Sequence, residues 1–445
     1  MTPTENELRK AVERELPRAR ADLERLVRIP GIAFAGFDQT HLDRSAEAVA
    51  DLLRECGLDV GVVSKGGAPA VIGRKPAPPG APTVLLYAHH DVQPTGDLAR
   101  WETEPFEPVE RGGRLYGRGA SDDKAGLMAH VAALRALGDA LPVGVVVFVE
   151  GEEEFGSASL TDLLAAHREA VAADVIVIAD SANWEIGQPA LTTSLRGIVN
   201  VVVEVRTLRS AVHSGTFGGA VPDALTALAR LLATLHDEAG DVVVEGLTGQ
   251  ESSTLVFPID RLRAESGLVD GVELIGTGPL VDRLWSKPAL SVLGIDAPTV
   301  DEAGNALVPS ARAKLSVRLA PGDDPRLAFA AIRAHVEAHR PWGAAVTVEP
   351  AGAGAPCVID TSGPYYPVVR AALRAAWDGI EPVEIGVGGS IPAVAVFQET
   401  FPDAAIAVTG IEDPETRSHG PNESLHLGEF ARVCLAETLL LAGLG

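Results

Sequence analysis

Cysteine is scarce: the 445 residues contain three, Cys56, Cys357 and Cys434. An odd number at those spacings matches no disulfide framework and no thiolate metal site, so they read as reduced, buried, small apolar side chains. Cationic residues are in deficit, 37 Lys and Arg against 61 Asp and Glu, for a formal net charge of −24. That balance argues against a nucleic-acid or membrane partner, because phosphate binding needs clustered Lys and Arg. Long apolar runs are missing as well; none approaches the roughly 18 uninterrupted residues of a membrane span. The start, Met1-Thr2-Pro3-Thr4-Glu5-Asn6-Glu7, is too polar and acidic for a secretory signal, and a soluble cytoplasmic protein is expected. There is no internal repeat or low-complexity tract. What is present, 46% hydrophobic and 22% charged residues, is globular. The length exceeds what one hydrophobic core usually serves, so two domains are expected.

Helical spacing of Leu8, Val12, Leu16, Leu23 and Leu26 predicts a helix over Glu5 to Arg28, stopped by Ile29-Pro30-Gly31, and a second is predicted around Asp43 to Cys56. Short apolar runs at Thr83 to Tyr87, Val143 to Val149, Val175 to Ile178 and Ala404 to Val408 read as buried strands. Helical stretches at Lys124 to Leu137 and Ser159 to Ala172 lie between them. This alternation predicts the α/β class, with helices on both faces of a central sheet. From about Thr193 the order becomes strand (Asn200 to Val205), helix (Asp223 to His236), strands (Leu290 to Leu293, Ala313 to Leu319), helix (Pro325 to His339), strand (Ala345 to Val348). That is the β-α-β-β-α-β order of a ferredoxin-like unit. A first domain of residues 1–192 and 356–445, with an insert at 193–355, is therefore expected, and the Ala- and Gly-rich Glu349 to Ala355 is the candidate linker. A helix over Tyr365 to Trp377 and the loop Gly386 to Pro392 complete the returning segment.

Five segments each deliver an imidazole or carboxylate. They are Ala88-His89-His90-Asp91, Gly119-Ala120-Ser121-Asp122-Asp123-Lys124, Glu152-Glu153-Glu154, Ala179-Asp180-Ser181 and Ser418-His419-Gly420-Pro421-Asn422-Glu423. In an open α/β sheet ligands bind outside the carboxyl ends of the strands, and His89, Glu153, Glu154 and Asp180 all follow such strands. Two histidines and three carboxylates without a thiolate suit two divalent cations, zinc first, with manganese or cobalt as substitutes. Taken singly, each has a plainer role: a structural histidine, a helix cap at Asp122 or Asp180, a solvated acidic turn at Glu150 to Glu154. His41, His90, His130, His167, His236, His335, His339 and His426 have no such context and read as structural or solvated. Asp91, two residues past His89, is placed to orient a ligating imidazole. Arg318, in an otherwise apolar strand, needs an anion, either a substrate carboxylate or an internal partner.

These residues, from Leu26-Val27-Arg28-Ile29-Pro30 through His89-His90-Asp91-Val92-Gln93-Pro94 to His419, resemble the co-catalytic zinc metallopeptidases. That family includes carnosinase-type cytosolic dipeptidases, glutamate carboxypeptidases, succinyl-diaminopimelate desuccinylase and aminoacylases. The resemblance implies a catalytic α/β domain with a mixed central sheet and an inserted lid or dimerisation domain. It also implies two Zn²⁺ per subunit: His89 and Asp180 on one, Glu154 and His419 on the other, Asp122 bridging. Glu153 would be the general base for a hydroxide shared between the metals, attacking the amide bond of a short peptide. Asp123 has either a supporting or a surface role. His213, otherwise a plain loop residue, would be the lid histidine that stabilises the oxyanion, in many relatives from a partner subunit of a homodimer. Gly388, Gly389 and Ser390 resemble the loop that receives the substrate carboxylate. The chain departs from the pattern at Gly386-Val387, where the family's dipeptidases typically carry an Arg-Glu pair. The leading expectation is a dipeptidase; an N-acyl amino acid amidohydrolase is the alternative, and a metal-free scaffold is disfavoured by the full ligand set.

Overall fold

The computed structural model describes residues 3–251 and 253–445; Met1 and Thr2, at the head of the polar start, lie outside the described residues. The chain divides into two compact units. One comprises Met1–Thr193, Ile359–Ile385 and Ile391–Gly445, and the other Ser194–Val358 and Gly386–Ser390.

In the first unit, strand Thr83–His89 lies parallel between Gly144–Glu150 and Val175–Ala182, and Ala405–Glu412 continues the parallel ladder beyond Val175–Ala182. Gly144–Glu150 is buried throughout, which accounts for its near-continuous apolar run. Two antiparallel strands flank the ladder on one side, Ala70–Lys75 and then Asp59–Val63. On the other side Ala190–Leu195 is antiparallel to Ala405–Glu412, with Thr192 opposite Val408. Asp59–Val63 escapes the hydrophobic pattern because it lies largely exposed at the sheet edge, and in Ala70–Lys75 the apolar run stops after three residues at Gly73.

Helix Lys124–Leu137 packs against Glu5–Val27 and Leu427–Gly443. It buries residues on every side of its axis, as does Leu427–Gly443, so neither carries a one-sided apolar stripe. Between these two helices is a buried ion pair. His130 Nδ1 donates to Glu437 Oε2 at 2.8 Å, and His130 Nε2 donates to the Tyr87 carbonyl at 2.9 Å. Burial alone would lower the His130 pKa, but Glu437 and the Tyr87 carbonyl outweigh it and raise it above the ordinary histidine value. A raised folded-state pKa means that this contribution to stability is full below the ordinary value and is lost as pH rises through the raised one. Glu437→Gln is expected to destabilise the protein by about 3–5 kcal/mol at mildly acidic pH. In denaturation runs across a pH series, the gap between variant and wild type should narrow as pH rises.

The second unit is a four-stranded antiparallel sheet in the order Ala289–Asp296, Ser310–Leu319, Gly197–Arg206, Ala345–Gly354. With helices Ala224–Leu232 and Pro325–Ala338 between strands, this is the ferredoxin-like arrangement. Alternate residues Val199, Val201, Val203 and Val205 face Ala313, Leu315, Val317 and the helical Leu228, Leu231 and Ile332 in one core. Period-two alternation sends Ile198, Asn200, Ser316 and Arg318 to the opposite face. The proposed linker is corrected here: Glu349 to Gly354 belongs to an edge strand paired with Gly197–Arg206, with a bulge between Pro350 and Ala353. Its Ala and Gly content marks that bulge, not a tether. Gly386–Ser390, expected in the first domain, groups with the second unit. There Arg196 N–H bonds the Val387 carbonyl at 3.0 Å and Arg196 Nε the Gly388 carbonyl at 3.3 Å.

Candidate metal centre

Parallel strands present their carboxyl ends on one side, and this is how the first unit gathers its imidazoles and carboxylates. His89 ends Thr83–His89, opposite Glu150 in the ladder, and Asp180 lies in the last residues of Val175–Ala182. Glu153 and Glu154 form a single helical turn just past Gly144–Glu150. Asp122 and Asp123 precede helix Lys124–Leu137, and His419 lies in the loop beyond Ala405–Glu412.

Two groups result. Ligand atoms of His89, Asp123 and Asp180 lie within 4.8 Å of one another, as do those of Asp122, Glu154 and His419. Asp122 reaches both: its Oδ1 is 3.1 Å from His89 Nε2 and its Oδ2 3.0 Å from His419 Nε2. His419 Nε2 is also 3.1 Å from Glu154, and His89 Nε2 is 3.8 Å from Asp180. Asp123 is buried with the cluster: one oxygen accepts the His89 N–H at 3.2 Å, and the other, Oδ1, is buried without a hydrogen-bond partner. The helix can bring Asp123 this close because residue 126 is glycine; a Cβ there would lie 2.1 Å from Asp123 Oδ1 and 2.5 Å from the Ala179 carbonyl.

Neighbouring side chains hold these groups in place. Asp91 sits 3.4 Å from His89 Nδ1, and its two oxygens accept the backbone N–H groups of Glu153 at 3.2 Å and Glu154 at 3.1 Å. It therefore orients an imidazole and the glutamate turn together. Gln93, part of the His89 to Pro94 motif but given no role by the sequence, donates from its side-chain amide to Glu154 Oε2 at 2.7 Å and from its backbone to Oε1 at 3.1 Å. His90, by contrast, turns away and bonds the Pro69 carbonyl at 2.8 Å.

Among the described residues the ion pairs of Asp122, Glu154 and Asp180 are with His89 and His419 alone. Six carboxylates, Asp91, Asp122, Asp123, Glu153, Glu154 and Asp180, thus surround two imidazoles, and the imbalance of charge shifts several of these groups. His419 is pushed up to about 11 by Asp122 and Glu154. Burial, reinforced by Asp123, raises Asp180 well above the carboxylate range. Burial also lifts Glu153 to about 8, with Glu154 and Asp91 adding to it against His89. Buried anionic charge of this density, offered by oxygen and nitrogen donors without sulfur, is the donor set of hard or borderline divalent cations.

The other residues singled out in the sequence belong to the second unit. His213 is exposed, its Nδ1 accepting the Gly215 N–H at 3.1 Å. Arg318 makes no ion pair among the described residues, and burial alone lowers its pKa. It is half-buried beside Arg196, whose pKa is pushed down to about 10 by burial and then by Arg318. Arg196 also donates to the carbonyls of Arg283 at 3.2 Å and Lys287 at 3.3 Å, beyond its bond to Gly388, and so anchors the loop that carries Gly389 and Ser390. At Gly386 a Cβ would meet Trp285 at 2.7 Å and Ser194 Oγ at 2.9 Å, which explains why a larger residue is excluded there.

Residues 85–441 match the model of peptidase family M20/M25/M40. The chain is 36% identical over 413 residues to the cysteinylglycine-S-conjugate dipeptidase of Corynebacterium striatum, covering 91% of this chain and 90% of that one. It is 30% identical over 422 residues to the human Beta-Ala-His dipeptidase, covering 86% and 81%. Among solved structures, human carnosine dipeptidase 1 superposes with a TM-score of 0.79 at 25% identity, covering 99% of this chain and 100% of the other. The di-peptidase Dug1p of Saccharomyces cerevisiae shares the fold, with a TM-score of 0.84 at 23% identity over 100% and 99% of the two chains. With a catalytic fold, a clustered His and carboxylate site and a family match over most of its length, the chain belongs to peptidase family M20/M25/M40 and is a hydrolase of the metallodipeptidase type.

Proposed function

We propose that this enzyme hydrolyses dipeptides bearing a free C-terminal carboxylate at a site that holds two divalent cations, zinc foremost. The observation that carries the reading is Asp122, one carboxylate whose two oxygens each meet an imidazole, His89 and His419, drawn from distant parts of the chain. Asp122 would be shared between the two cations, with His89 and Asp180 completing one set of ligands and Glu154 and His419 the other. The orphaned Asp123 Oδ1 faces the first group and supplements it. Bound there, such cations supply a water acidic enough to ionise near neutral pH and an electrophile for the scissile carbonyl oxygen.

The chain's own side chains do the rest. Glu153, placed by the Asp91 bond to its backbone and next to the ligand Glu154, accepts a proton from the attacking water and returns it to the departing amine. His213 stabilises the charge that develops on the carbonyl oxygen. Arg318 and the Gly388-Gly389-Ser390 loop receive the substrate carboxylate, the loop held by Arg196. Two guanidiniums side by side without a carboxylate are relieved by an anionic ligand, and a fork suits its geometry. Edge strand Ala289–Asp296 exposes Val292, Leu293 and Ile295, which supports a homodimer formed through the lid domain. No helix among the described residues is long and apolar enough to cross a membrane.

Arg318→Ala is expected to raise KM for a free dipeptide about 10- to 100-fold, the value of a hydrogen-bonded charge, while leaving KM for the matching dipeptide amide nearly unchanged. Equal effects on both would remove Arg318 from carboxylate binding. The substrate reading is tested on unblocked dipeptides, cysteinylglycine and its S-substituted forms first because the Corynebacterium relative is named for them, beside matching N-acyl amino acids. Cleavage of the free dipeptides is expected; cleavage of the acylated compounds alone would transfer the enzyme to the amidohydrolase class.

A further inference from the structure

Glu423 is fully buried, and both of its oxygens are spent on the loop that carries Asp122. Oε2 accepts Arg118 Nη1 at 2.6 Å and the Gly119 N–H at 3.0 Å. Oε1 accepts the N–H groups of Ser121 at 3.1 Å and Asp122 itself at 3.2 Å. Four donors converge on one carboxylate from five consecutive positions, a geometry that an amide or a shorter acid cannot reproduce.

The loop on which Glu423 sits is the one that presents His419. Its backbone holds Arg417, His419 and Asn422 at φ of 58°, 62° and 61°, left-handed values that non-glycine residues keep only when their surroundings impose them. Those surroundings are the Asp122 segment and its neighbours. Strand Ser424–His426 pairs antiparallel with Arg114–Tyr116, and Gly117 N–H bonds the Glu423 carbonyl at 3.0 Å. Arg118 Nη2 donates to the carbonyls of Gly420 at 3.2 Å and Pro94 at 3.3 Å. Asn422 Nδ2 donates to the Arg100 carbonyl at 3.0 Å, and Asn422 Oδ1 accepts the Glu102 N–H at 2.8 Å. The two loops are thereby one mechanical body.

The geometry points to Glu423 as a positioning residue that locks Asp122 and His419 at their mutual distance and so sets the cation affinity of the site. This rests on the two-cation reading above. Glu423 touches no reacting atom; its negative charge is matched by Arg118, so it acts through the backbone of the Asp122 segment. In Glu423→Gln one oxygen becomes an NH₂ that must face N–H donors, and Arg118 loses its counter-ion. The Asp122 segment then loses two of its anchors while every proposed ligand remains.

The test is zinc affinity by competition with a chromophoric chelator, alongside kcat and KM on a cleaved dipeptide and the melting temperature of the metal-free protein. Glu423→Gln is expected to bind at least one zinc about 10- to 100-fold more weakly, the usual consequence of removing a group that orients metal ligands, with a lower kcat at zinc subsaturation and an unchanged KM. Glu423→Asp, which keeps the charge but withdraws the oxygens by one methylene, should shift affinity in the same direction. Glu437→Gln, which breaks a different buried ion pair of this unit, His130–Glu437, serves as the stability control and should bind zinc as wild type does. Wild-type affinity in either folded Glu423 variant, an equal loss in Glu437→Gln, or failure of both Glu423 variants to fold would each overturn the positioning role. A wild-type protein that takes up no zinc or other divalent cation would instead remove the two-cation reading itself.

Discussion

Glu153→Ala is expected to lower kcat on a dipeptide by about 10²- to 10⁴-fold, the span of general acid–base contributions, while the protein keeps its cations. The separation follows from placement. Glu153 precedes Glu154 in the turn that Asp91 holds through two backbone bonds. Removing the Glu153 carboxyl leaves those bonds, the Gln93 contacts to Glu154 and both histidine–Asp122 pairs in place. Metal content measured on the same sample as turnover checks the claim. Normal turnover in a metal-loaded variant would exclude Glu153 as the base; loss of metal together with turnover would make it a ligand.

Asp122→Ala is expected to abolish measurable turnover, a loss of about 10³-fold or more, because several kcal/mol of transition-state stabilisation would depend on the cations it is proposed to join. Unlike Glu153→Ala, it should lose cations as well. Among the described residues Asp122 is the one group paired with both imidazoles, and without it His89 retains Asp180, and His419 retains Glu154. Each half-site is then left with fewer donors and no shared charge. Elemental analysis after dialysis should show fewer than two equivalents per chain. Two tightly held equivalents and near-normal kcat would show that no bridge passes through Asp122.

Much of this site could be read from the chain because parallel strands advertise themselves. Val145 to Val149 and Val175 to Ile178 are buried on both faces and so read as unbroken apolar runs, and the functional residues stand directly after them. The ferredoxin-like insert was legible for a related reason: its one-sided core imposes alternation on Val199 to Val205 and on Ala311 to Leu319. What stayed hidden acts through partners remote in sequence. Glu423 meets the Asp122 loop some three hundred residues earlier, with 301 positions separating it from Asp122 itself. Nothing in Pro421-Asn422-Glu423 distinguishes a buried clamp from a solvated turn. Gln93 and Arg196 are similar, for their value lies in bonds to Glu154 and to the Gly388 carbonyl. The Ala- and Gly-rich Glu349 to Gly354 misled because composition records flexibility of the free chain and not the strand pairing that consumes it.

Turnover is expected to require cations held by His89, Asp122, Glu154, Asp180 and His419, with Asp123 in support. That requirement is tested most directly by stripping the enzyme with a chelator, returning zinc or manganese in measured increments, and following dipeptide cleavage and bound metal together. The expected result is a stripped protein without activity, restored as the site fills to two equivalents per chain. Undiminished cleavage by protein shown to be metal-free would contradict it.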